Sequence, residues 1–246
     1  MIRLIENINR VKLNLRDSHY SRLILSHIQT YGTEFDFCEV FEIATSKKRI
    51  GFIVCFNGAM VADVISGARV TNACLRELKE FIAFKSPVTI EICPELCTKL
   101  GFRHYTKCHR TFFEVSKGDD SLGLDLSPDY DKVFSTAFDS SKESYGLWLT
   151  DTVRRINRSL SRVYAYESSV LTVRCMSKGQ AYITDVATPE IDRGKGYARK
   201  LLLKVSYELD KEGLKSYLAA TDDTAGFYRS LCFIETGNDN IYKLKE

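Results

Sequence analysis

The chain has 246 residues, 44% of them hydrophobic and 27% charged, values ordinary for a soluble globular protein and outside the disordered and membrane classes. No apolar run reaches the roughly 20 residues of a membrane-spanning helix, and the N-terminus lacks the apolar core of a signal peptide, so a cytoplasmic location without a membrane partner is expected. The net charge of +3 is too small and too scattered to indicate nucleic-acid binding.

The cysteines do not suggest a disulfide framework or a metal centre. Eight cysteines are spread through apolar segments of a long chain, which favours reduced and mostly buried thiols. Cys93 and Cys97 are separated by three residues, and the nearest histidines, His104 and His109, do not complete a usual zinc spacing. No metal site is therefore predicted.

The first half of the chain alternates helical and extended patterns. Helical periodicity is found over 16–30 and 72–84, with a short helical segment near 95–100. The strand-like runs cover 38–44, 50–64 with a turn at Asn57-Gly58, 88–92 and a final stretch through Val115. Residues 118–130 follow in a segment dense in turn formers, which predicts a linker between a domain at 1–117 and a second at 131–246.

The second half has a similar order of elements. Helices are predicted over 142–157, over 196–211 and around Tyr228. The predicted strands cover 162–167, 170–176, 181–188, 215–220 and 241–244. Both halves therefore indicate a mixed α/β sheet, with an antiparallel entry and a parallel centre.

A basic, glycine-containing turn joins the strand ending near Thr188 to the long helix that follows. Because backbone N–H groups and the positive end of the helix dipole meet at this turn, it predicts an anion site. Glycine allows close approach of the backbone, and the neighbouring cations add positive charge. The turn contains Arg193, Gly194, Lys195, Gly196, Tyr197, Ala198 and Arg199.

The run Arg-x-x-Gly-x-Ala, preceded by Val-x-Thr-Pro, resembles motif A of the GNAT superfamily of N-acetyltransferases. The segment Thr224 to Phe233 resembles the family's Ala-x-x-Tyr-x-x-x-Gly-Phe helix, with Cys232 in place of the glycine. The resemblance covers residues 130 to 246 and rests on the order and spacing of both motifs.

This resemblance implies an acetyl-coenzyme A cofactor and a role for each motif. The strand end Val186, Ala187 and Thr188 would pair with the pantetheine arm at a splayed strand, and the turn from Arg193 to Arg199 would wrap the diphosphate. Tyr228 takes the position at which the family places the general acid beside the coenzyme sulfur. The competing interpretation is a helix-capping turn and a core tyrosine.

No catalytic base can be assigned. The strand position that carries a glutamate in some family members falls near Tyr182, Asp185 is interpreted as structural, and Glu167 lies at a solvated hairpin turn. We therefore expect a water chain and an amine that arrives partly neutral. Cys175 and Cys232 have no histidine partner and are interpreted as core residues. Trp148 has a core role or touches the acceptor.

The two halves share a local signature that favours internal duplication. Cys97-Thr-Lys-Leu-Gly-Phe102 matches Tyr228-Arg-Ser-Leu-Cys-Phe233, and Asp63-Val64 corresponds to Asp185-Val186. The first half lacks the glycine turn and has Cys97 in place of tyrosine. The expected fold is thus two GNAT-like domains in tandem, each a mixed, mostly antiparallel sheet with flanking helices, the first degenerate. The alternative is an unrelated α/β domain.

The resemblance implies an acetyl-coenzyme A-dependent N-acetyltransferase that acts on a primary amine of a small molecule or a peptide. A non-catalytic coenzyme A-binding sensor or assembly module is the alternative, since no carboxylate stands at the family's base position. The expected partners are the amine acceptor and, in a possible homodimer, a second copy of the chain.

Overall fold

The chain divides into two compact units, Met1–His109 with Asp239–Glu246, and Arg110–Asn238. The computed structural model describes residues 1–46, 48–97, 100–115, 118–120, 123–125, 127–138 and 142–245, with backbone only at 142 and 143. The boundaries between these units differ from the predicted domain boundaries. The reason is that two strands, β6 (Tyr105–Glu114) and β11 (Ile234–Leu244), each contribute residues to both units.

The first unit is a mixed sheet in the strand order β1-β2-β3-β4-β5-β11. Its ladders are antiparallel except for β4 and β5, which run parallel from Ala59↔Thr89 to Ala62↔Ile92. The strands are β1 (Ile2–Leu4), β2 (Cys38–Ala44), β3 (Arg49–Phe56), β4 (Ala59–Val64), β5 (Thr89–Ile92) and the C-terminal part of β11. The helices are α1 (His19–Tyr31), α2 (Asn72–Lys85) and α3 (Pro94–Cys97).

The second unit has the strand order β6-β10-β9-β8-β7. Here β9 and β10 form the parallel pair, and β10 also pairs antiparallel with Arg110 to Glu114 of β6. The other strands are β7 (Arg162–Tyr166), β8 (Ser169–Ser177), β9 (Gln180–Ala187) and β10 (Lys215–Thr221). The helices are α4 (Tyr130–Ala137), α5 (Lys142–Ile156), α6 (Tyr197–Lys211) and α7 (Asp222–Ser230). The predicted mixed α/β class with a parallel centre is confirmed.

The core of the second unit forms because apolar residues recur with period two on the strands and with helical spacing on α6. Leu171 and Val173 of β8 lie on the face of the sheet that packs against Leu201 and Val205 of α6, and all four side chains are completely buried. This packing holds the N-terminus of α6 at the end of the parallel strands, where ligands bind in open α/β sheets.

The segment predicted as a linker is partly packed against the second unit. A Cβ added at Gly118 would lie 2.4 Å from the backbone of Tyr207, so α6 and this segment touch without a side chain between them. The amide of Asp119 donates to the carbonyl of Leu203, and Lys204 pairs with Asp120. Residues 121, 122 and 126 of the predicted linker, and residues 98 and 99 of the predicted short helix, lie outside the described residues.

Helix α4 has no counterpart in the sequence prediction. Asp129 caps it by accepting hydrogen bonds from the amides of Asp131 and Lys132, and Val133 and Phe134 bury its inner face. With eight residues, the helix is too short for a periodic pattern to stand out from the turn formers before it. None of the described helices is long and apolar enough to span a membrane.

Candidate functional site

A cavity of about 810 Å³ in the second unit brings most of the predicted site residues together. Its walls come from the end of β9, the turn before α6, and one face of α7. The predicted residues that line it are Val186, Ala187, Thr188, Arg193, Gly194, Gly196, Tyr197, Ala198, Arg199 and Tyr228. Lys195 is the one predicted residue outside this lining.

The turn before α6 has the geometry of an anion-binding loop. Gly194 and Gly196 have φ of +78° and +79°, in the left-handed region that glycine adopts without strain. A Cβ at either position would meet no atom within 4 Å, so the loop is open. No side chain caps the N-terminus of α6, which leaves its first amides available to a ligand.

The cations of this turn differ in their interaction partners. The Nε–H of Arg193 donates to the carbonyl oxygen of Thr188 at 3.3 Å. The ammonium of Lys195 pairs with Asp192 at 2.5 Å, and this partner lowers the pKa of the Asp192 carboxyl. Arg193 and Arg199 are exposed and line the cavity, so their guanidinium groups are the cations best placed for an anion.

A slot opens where the two parallel strands part. The β9–β10 ladder ends at Ile183↔Leu218, although β9 continues to Ala187 and β10 to Thr221. Just beyond the last pair, the β8–β9 register shifts, and Asp185 has a φ of +55°, which marks a bulge. The end of β9 therefore has no strand partner on its β10 side, and its backbone groups face the slot.

Tyr228 lines the cavity from α7 and is 8% exposed. Its ring packs against Phe113, Phe227 and Phe233, with centroid distances of 5.6, 5.1 and 6.1 Å. Burial raises the pKa of the Tyr228 hydroxyl to about 12, because an apolar surrounding disfavours the phenolate. The hydroxyl therefore carries its proton at neutral pH and can donate it.

Several lining residues were missed by the sequence analysis. Thr224, Phe227 and Leu231 line the cavity beside Tyr228, and their spacing of three and four places Thr224 and Phe227 on one face of α7, with Leu231 directly after its end. This helical spacing could have identified these residues from the sequence. Thr136 and Ala137 line the cavity from α4, and no signal pointed to them because the helix itself was not predicted.

Other side chains named from the sequence lie elsewhere. Trp148 packs among the rings of Tyr130, Phe134 and Tyr145, outside the cavity lining. Glu167 is exposed at a hairpin turn, as expected. Cys175 is completely buried, but the prediction of a core role for Cys232 is wrong, because the turn after α7 leaves its side chain exposed.

The backbone at Cys232 explains why glycine suits this position. Its φ is +58°, a conformation that costs an L-residue roughly 1–2 kcal/mol. We expect Cys232→Gly to raise the free energy of unfolding by about 1 kcal/mol in urea titrations, because the gain exceeds the entropic cost of glycine. Cys232→Ala, which keeps a Cβ, should show no such gain. A less stable Cys232→Gly protein would contradict this explanation.

All eight cysteines are free, and four of them are buried: Cys38, Cys74, Cys93 and Cys175. Within the described part of the chain, no three His, Cys, Asp or Glu side chains are grouped so that they could hold a metal ion.

In the first unit, paired side chains lie just beyond the end of the parallel strands β4 and β5. The β4–β5 ladder ends at Ala62↔Ile92, and Leu15 then bridges to Ile65. Arg16 pairs with the completely buried Asp63 at 2.7 Å and also with Glu95 of α3, so it links the end of β4 to the helix that follows β5. The hydroxyl of Ser21 donates to Asp63 at 2.7 Å.

Comparisons with known proteins reveal similarity of fold and little similarity of sequence. No protein-family model matches the chain, and no curated protein sequence does so either. A GNAT-family acetyltransferase from Colwellia psychrerythraea matches with a TM-score of 0.58 and 12% identity, over 100% of both chains. A GCN5-related N-acetyltransferase from Kribbella flavida matches with a TM-score of 0.60 and 10% identity, over 94% of this chain and 97% of its own.

A third solved structure is a tandem GNAT protein from the clavulanic acid biosynthesis pathway. It matches with a TM-score of 0.56 and 11% identity, over 98% of each chain. All three similarities extend over nearly the whole chain at identities that establish the fold alone. The chain therefore has the fold of the GNAT acetyltransferases.

Proposed function

We propose that the chain is an acetyl-coenzyme A-dependent N-acetyltransferase that acylates a primary amine of a small molecule or a peptide. The observation that carries the proposal is a single cavity that joins an anion loop, a strand slot and a buried tyrosine. The GNAT-type fold supports it. Each feature serves a different part of the reaction: holding the donor, orienting the thioester and delivering a proton.

The residues of the cavity fit the donor. The open glycine loop, the uncapped amides of α6 and the guanidinium groups of Arg193 and Arg199 suit a diphosphate. The segment from Val186 to Thr188, at the end of β9 and beyond its ladder to β10, suits the amides of a pantetheine arm, which can add to a strand edge. Acetyl-coenzyme A would supply an acetyl group activated as a thioester.

Two groups of this chain then act on the reacting atoms. A backbone N–H of the Val186–Thr188 segment, which lines the cavity, would stabilise negative charge on the carbonyl oxygen while the amine attacks. As the carbon–sulfur bond breaks, the hydroxyl of Tyr228 donates its proton to the sulfur. The pKa of Tyr228, which burial raises to about 12, keeps the hydroxyl protonated at physiological pH, as the ordinary pKa of a tyrosine also would.

The carboxylates of the cavity are engaged, which leaves proton removal from the amine to water. Asp192 pairs with Lys195, and Asp223 accepts a hydrogen bond from the hydroxyl of Thr221. Both contacts lower the pKa of the carboxyl concerned, so each is a weak base. An acceptor amine with a low pKa, already partly neutral at pH 7, suits such a site.

The same observation supports a second candidate, a coenzyme A-binding sensor or assembly module that does not turn over. A thiol-release assay with acetyl-coenzyme A and a panel of amines separates the two. Release that depends on an amine supports the enzyme, whereas tight coenzyme binding without release for any amine favours the sensor.

We propose further that the first unit is a degenerate GNAT-like domain and that the chain binds one coenzyme. Arg16 pairs with Asp63 and Glu95 at the end of the β4–β5 pair, so charged side chains that neutralise one another stand where the second unit has its slot. Calorimetric titration with coenzyme A should therefore give a stoichiometry near one per chain. Two equivalent sites per chain would overturn the assignment of a degenerate first domain.

A further inference from the structure

A pair of hydroxyl groups, of which that of Ser169 is buried, joins the sheet of the second unit to the turn before α6. Ser169 begins β8 and is completely buried. Its Oγ lies 2.7 Å from the Oγ1 of Thr188, the first residue after β9. The contact follows from the register, because Val170 pairs with Ala187 and so brings Ser169 opposite the residue that leaves the sheet.

Thr188 is in turn bonded to the loop. Its carbonyl oxygen accepts the Nε–H of Arg193 at 3.3 Å. Between these two residues the chain forms a 3₁₀ turn, in which the amide of Arg193 donates to the carbonyl of Glu190. A continuous series of hydrogen bonds thus runs from Ser169 through Thr188 to Arg193.

We propose that Ser169 is a positioning residue for the anion loop, because its hydroxyl holds Thr188, and through Thr188 the guanidinium of Arg193, in the geometry that binds the ligand. The contact orders the loop before the ligand arrives and so reduces the ordering cost of binding. The ligand class, a diphosphate ester such as coenzyme A, rests on the proposed function. The positioning role itself does not.

The chain offers a matched control for this contact. Ser161, also in the second unit, is 2% exposed, and its hydroxyl donates to the carbonyl of Val173 at 2.7 Å. Ser161→Ala and Ser169→Ala therefore each remove the hydroxyl of a buried serine and one hydrogen bond of 2.7 Å. Only the second bond reaches the loop.

Hydrogen exchange of the ligand-free protein tests the positioning role directly. In Ser169→Ala, the amides of Asp192 and Arg193, which donate to the carbonyls of Pro189 and Glu190, should exchange about 3- to 10-fold faster, the change expected for one lost hydrogen bond. In Ser161→Ala the same amides should be unaffected. Unchanged loop exchange in Ser169→Ala, or equal acceleration in both variants, would overturn the proposal.

Calorimetry with coenzyme A tests the consequence for binding. Ser169→Ala should raise the dissociation constant about 3- to 10-fold and leave the turnover number at saturation unchanged, while Ser161→Ala should change neither. If the wild-type chain does not bind coenzyme A, the proposed function fails and hydrogen exchange alone decides the role of Ser169.

Discussion

Replacing Tyr228 with phenylalanine should lower the turnover number about 100-fold and leave coenzyme affinity unchanged. A general acid contributes roughly 10² to 10⁴-fold, and the lower end applies because a thiolate leaves without full protonation. Phenylalanine keeps the ring that packs against Phe113 and Phe233, so the fold should survive. Steady-state kinetics at saturating donor and acceptor, with calorimetry on the same protein, measure both quantities.

Tyr217 provides the control for this substitution. It is a tyrosine of the same unit, 6% exposed, and it lies outside the cavity lining. Tyr217→Phe should therefore retain the wild-type turnover number. Since the pKa of Tyr228 is about 12, ionisation of its hydroxyl should cause no loss of rate below about pH 10. Normal turnover in Tyr228→Phe would make Tyr228 a core tyrosine.

Replacing Gly196 with valine should weaken coenzyme binding about 10- to 100-fold. The new side chain would stand in the open loop and displace the ligand from at least one amide, and a charge-assisted hydrogen bond contributes about 1.5–3 kcal/mol. Calorimetric titration measures the dissociation constant, and circular dichroism checks that the protein is folded.

Backbone strain is the other effect of this substitution, and Gly213 isolates it. Gly213 follows α6 with a φ of +76°, close to the +79° of Gly196, and a Cβ there also meets no atom within 4 Å. Gly213→Val should lose similar stability and keep its affinity for coenzyme A. If folded Gly196→Val bound coenzyme A as tightly as the wild type, the loop would be only a helix cap.

The glycine turn before α6 could be predicted from the sequence because its determinants are local. A short stretch of sequence contains every signal: glycines that permit positive φ, flanking cations, and an amphipathic helix directly after them. The structure has Gly194 and Gly196 in the left-handed region and α6 beginning at Tyr197, where these residues require it. The predicted strands and long helices were likewise found within a few residues, apart from the added length of β6 and β11.

The surroundings of Tyr228 could not be predicted, because they depend on contacts between distant segments. Its ring lies against Phe113, a residue that the sequence analysis placed in the first domain. Residues 110–114 of β6 pair with β10 in the second unit, and no local sequence pattern indicates such a long-range pairing. The exposure of Cys232 also depends on the turn geometry after α7.

The sequence by itself determined the class of fold, the glycine turn before α6 and the helix that carries Tyr228, since periodicity, glycine and charge act over a few residues. Only the tertiary structure decided how the strands divide between the two units and which side chains line the cavity. It also decided that Arg16 and Asp63 form an ion pair at the end of the first unit's parallel strands. These features depend on burial and on pairing between residues that are distant in the sequence. The free energy of such a contact depends on the groups that the fold packs around it.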